Sequence, residues 1–142
     1  MYRSHEIKRI TNRANEYLKT NTIPFTHLAA MGGSGLVLSG ALVQKSNLKL
    51  GIIHVRKKGE KSSYNSDSVT GDISHDAKYL IYDDCIETGR TVEFIYAKIK
   101  KYSKKYESEI QCVGILLYTQ GFYTDTYKFK DNTVVPLYAI HL

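Results

Sequence analysis

Apolar positions along the chain alternate between two spacings. Ile7, Ile10, Ala14, Tyr17 and Leu18 recur at the three-to-four-residue interval of a helix with one buried face, with Ser4 placed to cap it. Asn21–Pro24 ends that helix, and Phe25–Ala30 is short and apolar enough for a strand running into Met31-Gly32-Gly33-Ser34-Gly35. Leu36–Lys45 reads as a second, mostly apolar helix, and Leu50–Val55 as a buried strand. The stretch 57–76 is polar and rich in Ser, Gly and Asp, as a lid or mobile loop would be. Tyr79–Tyr82 is a strand. Val92, Ile95, Tyr96, Ile99 and Tyr102 then mark a third helical face, Cys112–Tyr118 a further strand, and Val134–Leu142 a final one.

Strands alternating with helices predict an α/β fold with a mainly parallel sheet flanked by helices, in a single domain over 1–142. Parallel sheets bind ligands beyond the carboxyl ends of their strands. The glycine-bearing loops 31–35 and 85–91 both follow strands and open helices, so both belong on that edge.

At 142 residues and 42% hydrophobic content, the chain can fill one core. No run of apolar residues is long enough to span a bilayer, and the start MYRSHEIKRI lacks the apolar stretch of a secretory signal. Cys85 and Cys112 are too few for a disulfide framework and fit reduced thiols in a cytoplasmic protein. The net charge of +6 is concentrated in Arg56–Lys61 and Lys98–Lys105, and the second cluster fits the solvated face of a helix. Without the motif of a nucleic-acid module, the charge points to a polyanionic small molecule rather than to nucleic acid.

Tyr79-Leu80-Ile81-Tyr82-Asp83-Asp84-Cys85-Ile86-Glu87-Thr88-Gly89-Arg90-Thr91 concentrates the chemistry. An apolar strand delivers two carboxylates to its end, where they suit vicinal hydroxyls or a metal ion. Thr88, Gly89 and Thr91 then open a helix, where backbone N–H groups, the helix dipole and two hydroxyls make a phosphate cradle. Hydroxyl acceptors followed at once by a phosphate cradle describe a site for a sugar phosphate.

This segment resembles the phosphoribosyl-pyrophosphate signature of the type I phosphoribosyltransferases: an apolar strand, two acids, three variable residues, Thr-Gly, one variable residue, and Thr or Ser. The resemblance covers roughly residues 25–120 and is specific at 79–91. It implies transfer of a 5-phosphoribosyl group to a nucleobase, with Asp83 and Asp84 on the ribose hydroxyls or on Mg2+, and with Cys85, Ile86, Glu87, Thr88, Gly89, Arg90 and Thr91 around the phosphate. Met31-Gly32-Gly33 resembles the family's pyrophosphate loop, although Met31 stands where that loop usually carries Arg or Lys. Ser63-Tyr64 resembles the catalytic loop of the hypoxanthine-guanine enzymes, whereas Arg56-Lys57-Lys58-Gly59 resembles that of the adenine and orotate enzymes.

Glu87 before Thr-Gly matches the acid of the 6-oxopurine enzymes, so Glu87 and Asp84 are the expected catalytic residues and hypoxanthine, guanine or xanthine the expected acceptor. The C-terminal tail 121–142, with the N-terminal helix as a further candidate, is expected to form the hood over the base, with Val134 and Tyr138 lining it. A lysine that commonly reaches the purine 6-oxygen has no counterpart; Thr119 and Gln120 lie near its place. The family's members are commonly dimers or tetramers. Three alternatives stay open: a regulator that binds the donor without catalysis, a transferase for adenine, orotate or uracil, and an unrelated Rossmann-like phosphate binder.

Overall fold

The computed structural model of the chain describes residues 2–57, 68–71, 73, 75–119, 121 and 123–140. Helix α1 spans Ser4–Thr20, strand β1 His27–Met31, helix α2 Gly32–Ser46 and strand β2 Gly51–Val55. Strand β3 spans Val69–Gly71, β4 Lys78–Asp83, helix α3 Arg90–Lys105, and strands β5, β6 and β7 Gln111–Leu117, Thr126–Lys128 and Val134–Ala139. Among the described residues these strands form one sheet in the order β3-β2-β1-β4-β5-β7-β6. The five inner strands are parallel. β3 and β6 close the two edges antiparallel to β2 and β7.

Strand alternation divides the core into two layers. Along β4, Tyr79 and Ile81 face the layer filled by Val92, Ile95 and Ile99 of α3. Leu80 and Tyr82 face the layer filled by Ile10 and Ala14 of α1 and Leu38 and Leu42 of α2. Both faces of β4 are therefore buried, as expected of a parallel strand covered by helices on each side. Each fully buried Ile or Leu in these layers contributes about 1.5–3 kcal/mol of apolar burial.

The order of connections positions the site. From β1 the chain passes through α2 to β2 on one side, and β4 then pairs with β1 on the other. β1 and β4 thus flank the point where the winding reverses, and a crevice opens there beyond their carboxyl ends. Met31 ends β1, and Asp83 ends β4.

The periodicities locate the inner elements correctly. Three local expectations differ. Arg3, not Ser4, caps α1, and it does so without a side-chain hydrogen bond. α2 begins at Gly32 rather than Leu36, because the Gly32–Gly35 stretch is itself its first turn. The polar stretch 57–76 re-enters the sheet as β3, and the tail carries the short β6. Three-residue edge strands carry too little alternation to show in a sequence.

Gly114, in the middle of β5, is enclosed. A Cβ there would lie 2.9 Å from Leu80 Cδ2, 3.0 Å from Tyr138 Cε2 and 3.2 Å from the Pro136 carbonyl oxygen. Gly114→Ala is expected to lower unfolding stability by about 1–3 kcal/mol through overpacking, read as a lower urea midpoint at unchanged slope.

Candidate functional site

Two adjoining cavities lie on the crevice and share Asp84 and Thr91. One, of about 230 Å³, is lined by residues 84–92 alone. The other, of about 420 Å³, spans from Met31, Ser34 and Gly35 to Asp83 and Asp84, with Lys57, Tyr82 and Tyr118 on its walls, Glu6 contributed by α1 and Tyr2 by the residues just before it. The 31–35 loop and the 83–91 segment, far apart in sequence, therefore face one space.

The acidic turn is tied to the end of β5. The Tyr118 N–H donates to Asp83 O at 3.1 Å, and the Thr119 N–H and hydroxyl both donate to Asp84 O, at 3.0 and 2.5 Å. On the carboxylates, Asp83 Oδ1 accepts from the Asp84 N–H at 2.9 Å and Asp84 Oδ1 from the Cys85 N–H at 2.8 Å. No further N–H or O–H group among the described residues donates to either carboxylate, and the two side chains lie within hydrogen-bonding reach of one another. Burial, augmented by the neighbouring Asp84 charge, pushes the Asp83 carboxyl up to about 7. Burial and the nearby carboxylates also raise the Cys85 thiol.

The 87–91 turn is built largely from backbone. Gly89 caps α3 at φ 79°, a left-handed conformation costly for any residue with a Cβ, and supplies no side-chain cap. The Arg90 N–H donates to Thr88 Oγ1 at 3.3 Å, and the Glu93 N–H closes the first turn on Gly89 O at 3.0 Å. The remaining first-turn N–H groups, the helix dipole and the Thr88 and Thr91 hydroxyls are available to an anion. Glu87 is exposed on the wall of the same cavity, and its carboxylate has no hydrogen-bond partner among the described residues.

The opposite wall contains a feature that the sequence reading missed. Met31 brings no charge, but Lys57, just past β2, lies over the loop: a Cβ on Gly32 would sit 2.6 Å from Lys57 Cε and 3.4 Å from its Nζ. Gly32 has φ 75°, and His54 Nε2–H donates to its carbonyl at 3.1 Å. A cation thus reaches the Gly-Gly turn from the neighbouring strand. The run Arg56-Lys57-Lys58-Gly59 was its signal, but only the β1–β2 pairing, with Met31 opposite Val55, brings it beside Gly32.

Met31 and the segment Asp83–Thr91 line the two cavities, whereas Gly32, buried, and Gly33, exposed, follow Met31 in the first turn of α2 and line neither. Val134 is not brought there. It is exposed at the start of β7, beside Lys78 and Gln111 on the opposite edge of the sheet. Tyr138 is half-buried against α1, its ring 6.3 Å from that of Tyr17. Ser63, Tyr64 and Gln120 lie outside the described residues. The aromatic wall near the acids comes instead from Tyr2, Tyr82 and Tyr118. The Tyr2 and Tyr118 hydroxyls are 3.3 Å apart, the Tyr82 and Tyr118 rings pack edge-on at 5.2 Å, and the buried Tyr82 hydroxyl has no hydrogen-bond partner among the described residues.

No group of three or more His, Cys, Asp or Glu among the described residues could hold a metal ion. The Asp83–Asp84 pair still fits magnesium, which takes one or two protein carboxylates and completes its shell from water and substrate oxygens. The desolvation of Asp83 beside the Asp84 charge is what such an ion or a pair of hydroxyls would relieve.

No protein-family model and no curated protein matches the chain. Solved structures do. Orotate phosphoribosyltransferase of Francisella tularensis superposes with a TM-score of 0.63 at 16% identity, over 98% of this chain and 67% of that one. Adenine phosphoribosyltransferase of Saccharomyces cerevisiae, in complex with an imino-altritol bisphosphate and adenine, gives 0.64 at 12% identity over 96% and 79%. A phosphoribosyltransferase of Corynebacterium diphtheriae gives 0.63 at 10% identity over 98% and 76%. The chain has the type I phosphoribosyltransferase fold. Among the described residues, no helix is long and apolar enough to cross a membrane.

The raised Asp83 carboxyl has a consequence for the free protein. In the unfolded chain Asp83 ionises near its ordinary value, but in the folded chain near 7. The folded state therefore binds the extra proton between those values, and stability falls as pH rises through that window. Asp83→Asn removes the penalty while keeping an oxygen for the Asp84 N–H. Discounted for partial exposure, the variant is expected to exceed the wild type by about 1–2 kcal/mol at pH 8 and to match it at pH 4, measured by urea unfolding at both values.

Proposed function

We propose that the protein transfers the 5-phosphoribosyl group from 5-phosphoribosyl 1-pyrophosphate to a purine base, with a 6-oxopurine as acceptor and pyrophosphate as leaving group. The observation that carries this reading is the shared crevice: a carboxylate pair at a strand end, a helix start with hydroxyls and a Gly-Gly turn with a lysine over it, all at the switch point between β1 and β4. The three features match, in order, the vicinal hydroxyls, the 5-phosphate and the pyrophosphate of one donor molecule.

In this reading the 87–91 turn holds the 5-phosphate, and Asp83 and Asp84 accept from the ribose hydroxyls or hold magnesium beside them. The Gly32 turn and Lys57 receive the pyrophosphate. Magnesium, when bound, supplies positive charge against the departing pyrophosphate. Bond breaking at the ribose carbon leaves positive charge on the sugar ring, which a carboxylate pair held beside the ribose would partly offset. Glu87 accepts the proton lost by the purine nitrogen as the base becomes a nucleophile, a role open to it because no group of the described chain engages its carboxylate. The catalytic-loop and homo-oligomer expectations remain part of this proposal, as does a cytoplasmic setting.

A second reading keeps the donor and changes the acceptor. The position of Lys57, at the end of an Arg-Lys pair beside the Gly-Gly turn, and the likeness in fold to adenine and orotate enzymes favour adenine or orotate. Magnesium-dependent pyrophosphate release, measured against hypoxanthine, guanine, xanthine, adenine, orotate and uracil, separates the two. Release with a 6-oxopurine supports the first reading, and release only with adenine, orotate or uracil replaces it. Donor binding without release for any base would make the protein a donor-binding regulator.

With the active acceptor identified as a 6-oxopurine, Glu87→Gln is expected to lower turnover by about 10²-fold or more while changing donor affinity less than about tenfold. Steady-state kinetics beside calorimetric titration of the donor provides the check. A collapse of donor affinity at retained turnover would move Glu87 from the base to the ribose or the metal.

Lys57→Ala is expected to weaken binding of inorganic pyrophosphate with magnesium by about tenfold, the scale of one charge-assisted contact, and to leave the unfolding midpoint unchanged because Lys57 is exposed. Unchanged pyrophosphate affinity in that variant would remove Lys57 from the site.

A further inference from the structure

Part of the tail expected to form the hood meets the helix that follows the acidic turn. The β6–β7 hairpin packs against the first turn of α3, and both oxygens of one carboxylate join them. The Tyr127 hydroxyl donates to Glu93 Oε2 at 2.9 Å, and the Lys130 backbone N–H donates to Glu93 Oε1 at 3.0 Å. The same Tyr127 hydroxyl rests on the phosphate turn: a Cβ on Gly89 would lie 2.6 Å from it. Gly89 is buried beneath that contact, and its carbonyl accepts from the Glu93 N–H at 3.0 Å. Glu93 therefore holds the turn through its backbone and the hairpin through its side chain.

We propose that Glu93 and Tyr127 are positioning residues, through which the β6–β7 hairpin holds the Thr88–Thr91 turn in its anion-binding conformation. The inference rests on the phosphoribosyl reading for what the turn binds, but the hold itself stands on the contacts above.

Three physical points support it. First, a left-handed residue at a helix start has neighbouring backbone states open to it, and glycine has more of them than any other residue. A turn that binds an anion through N–H groups needs one of those states selected in advance, or ordering it weakens the affinity. The Tyr127 hydroxyl fills the space into which Gly89 would otherwise move. Second, a carboxylate in the first helical turn favours the helix but opposes an incoming phosphate. Two donors engaged on Glu93, one on each oxygen, delocalise that charge away from the cradle. Third, burial and the Glu93 carboxylate push the Tyr127 hydroxyl up to about 12, so it remains a donor through the neutral range. Tyr127 is itself braced by Phe129, whose ring packs edge-on at 5.0 Å, and Phe129 stacks on Tyr96 of α3 at 3.9 Å.

Tyr127→Phe removes only the hydroxyl and keeps the ring packing. Glu93→Ala removes both acceptors. Glu93→Gln keeps an oxygen for the Lys130 N–H and an amide for the Tyr127 hydroxyl, and serves as the conservative rescue. Two measurements are made on the full chain. One is hydrogen exchange of the backbone amide at position 93, which reports the Gly89 turn without ligand. The other is calorimetric affinity for ribose 5-phosphate. Tyr127→Phe and Glu93→Ala are expected to speed exchange at position 93 and to weaken ribose 5-phosphate about tenfold, with an unchanged urea midpoint in Tyr127→Phe; Glu93→Gln should stay within about twofold of the wild type.

Unchanged exchange in Tyr127→Phe would overturn the hold, whatever the turn binds. Faster exchange at unchanged ribose 5-phosphate affinity would overturn the positioning role. Faster exchange in a protein whose wild type does not bind ribose 5-phosphate would support the hold and overturn the phosphoribosyl reading instead.

Discussion

A carboxylate held in a largely desolvated position at the end of a buried strand is the constraint around which this molecule is arranged. β4 is covered on both faces, so its side chains must be apolar until the sheet ends. Asp83 is the last residue of the strand, and it is still sufficiently enclosed to bring its carboxyl up to about 7. The surrounding chain donates one backbone N–H to each acid and, among the described residues, nothing further. Such an arrangement costs stability in the free protein and gains its counterpart only from a ligand that brings hydroxyls or a cation. The rest follows from keeping that strand end rigid. β5 anchors the turn through Tyr118 and Thr119, and α3 begins within seven residues of it.

The charges around the crevice come from elements on both sides of the switch point. The acids sit on β4, the cation Lys57 follows β2, and the two glycine turns between them provide backbone rather than side chains. Distribution over separate strands lets opposite charges face one cavity without pairing: among the described residues no ion pair joins Lys57 to Asp83 or Asp84. An anionic group flanked by hydroxyls fits between them. Phosphate groups would meet N–H donors at both glycine turns, and hydroxyls would meet the carboxylates.

The hairpin that closes the sheet has a different place from the one its sequence suggested. Aromatic residues in a C-terminal tail resemble a lining for a flat base, but Val134 enters the sheet at its far edge, and Tyr138 packs on α1. Parallel pairing of β7 with β5 forces this, because Val134 then starts its strand beside the beginning of β5, away from the crevice. The aromatic residues beside the acids are Tyr2, Tyr82 and Tyr118, from three separate parts of the chain. Tyr82 and Tyr118 had been readable only as strand residues, and Tyr2 carried no signal of its own.

The local arrangement of residues 79–91 was legible in the residues themselves. Two adjacent acids after an apolar strand, followed by Thr-Gly and Thr at a helix start, place two carboxylates at a strand end and hydroxyls beside first-turn N–H groups wherever that strand lies, because strand alternation and helix ends are properties of short segments. The helical and strand periodicities of α1, α3, β2, β4 and β5 were set the same way. What the sequence did not contain was which segments become neighbours. The order β2-β1-β4-β5-β7 decided that Lys57 covers the turn that Met31 leaves uncharged, that α1 and the residues just before it bring Glu6 and Tyr2 to the acids, and that Tyr127 rests on Gly89. Those contacts join residues separated by tens of positions, and their free energy depends on the register of parallel strands buried on both faces, which no local periodicity encodes.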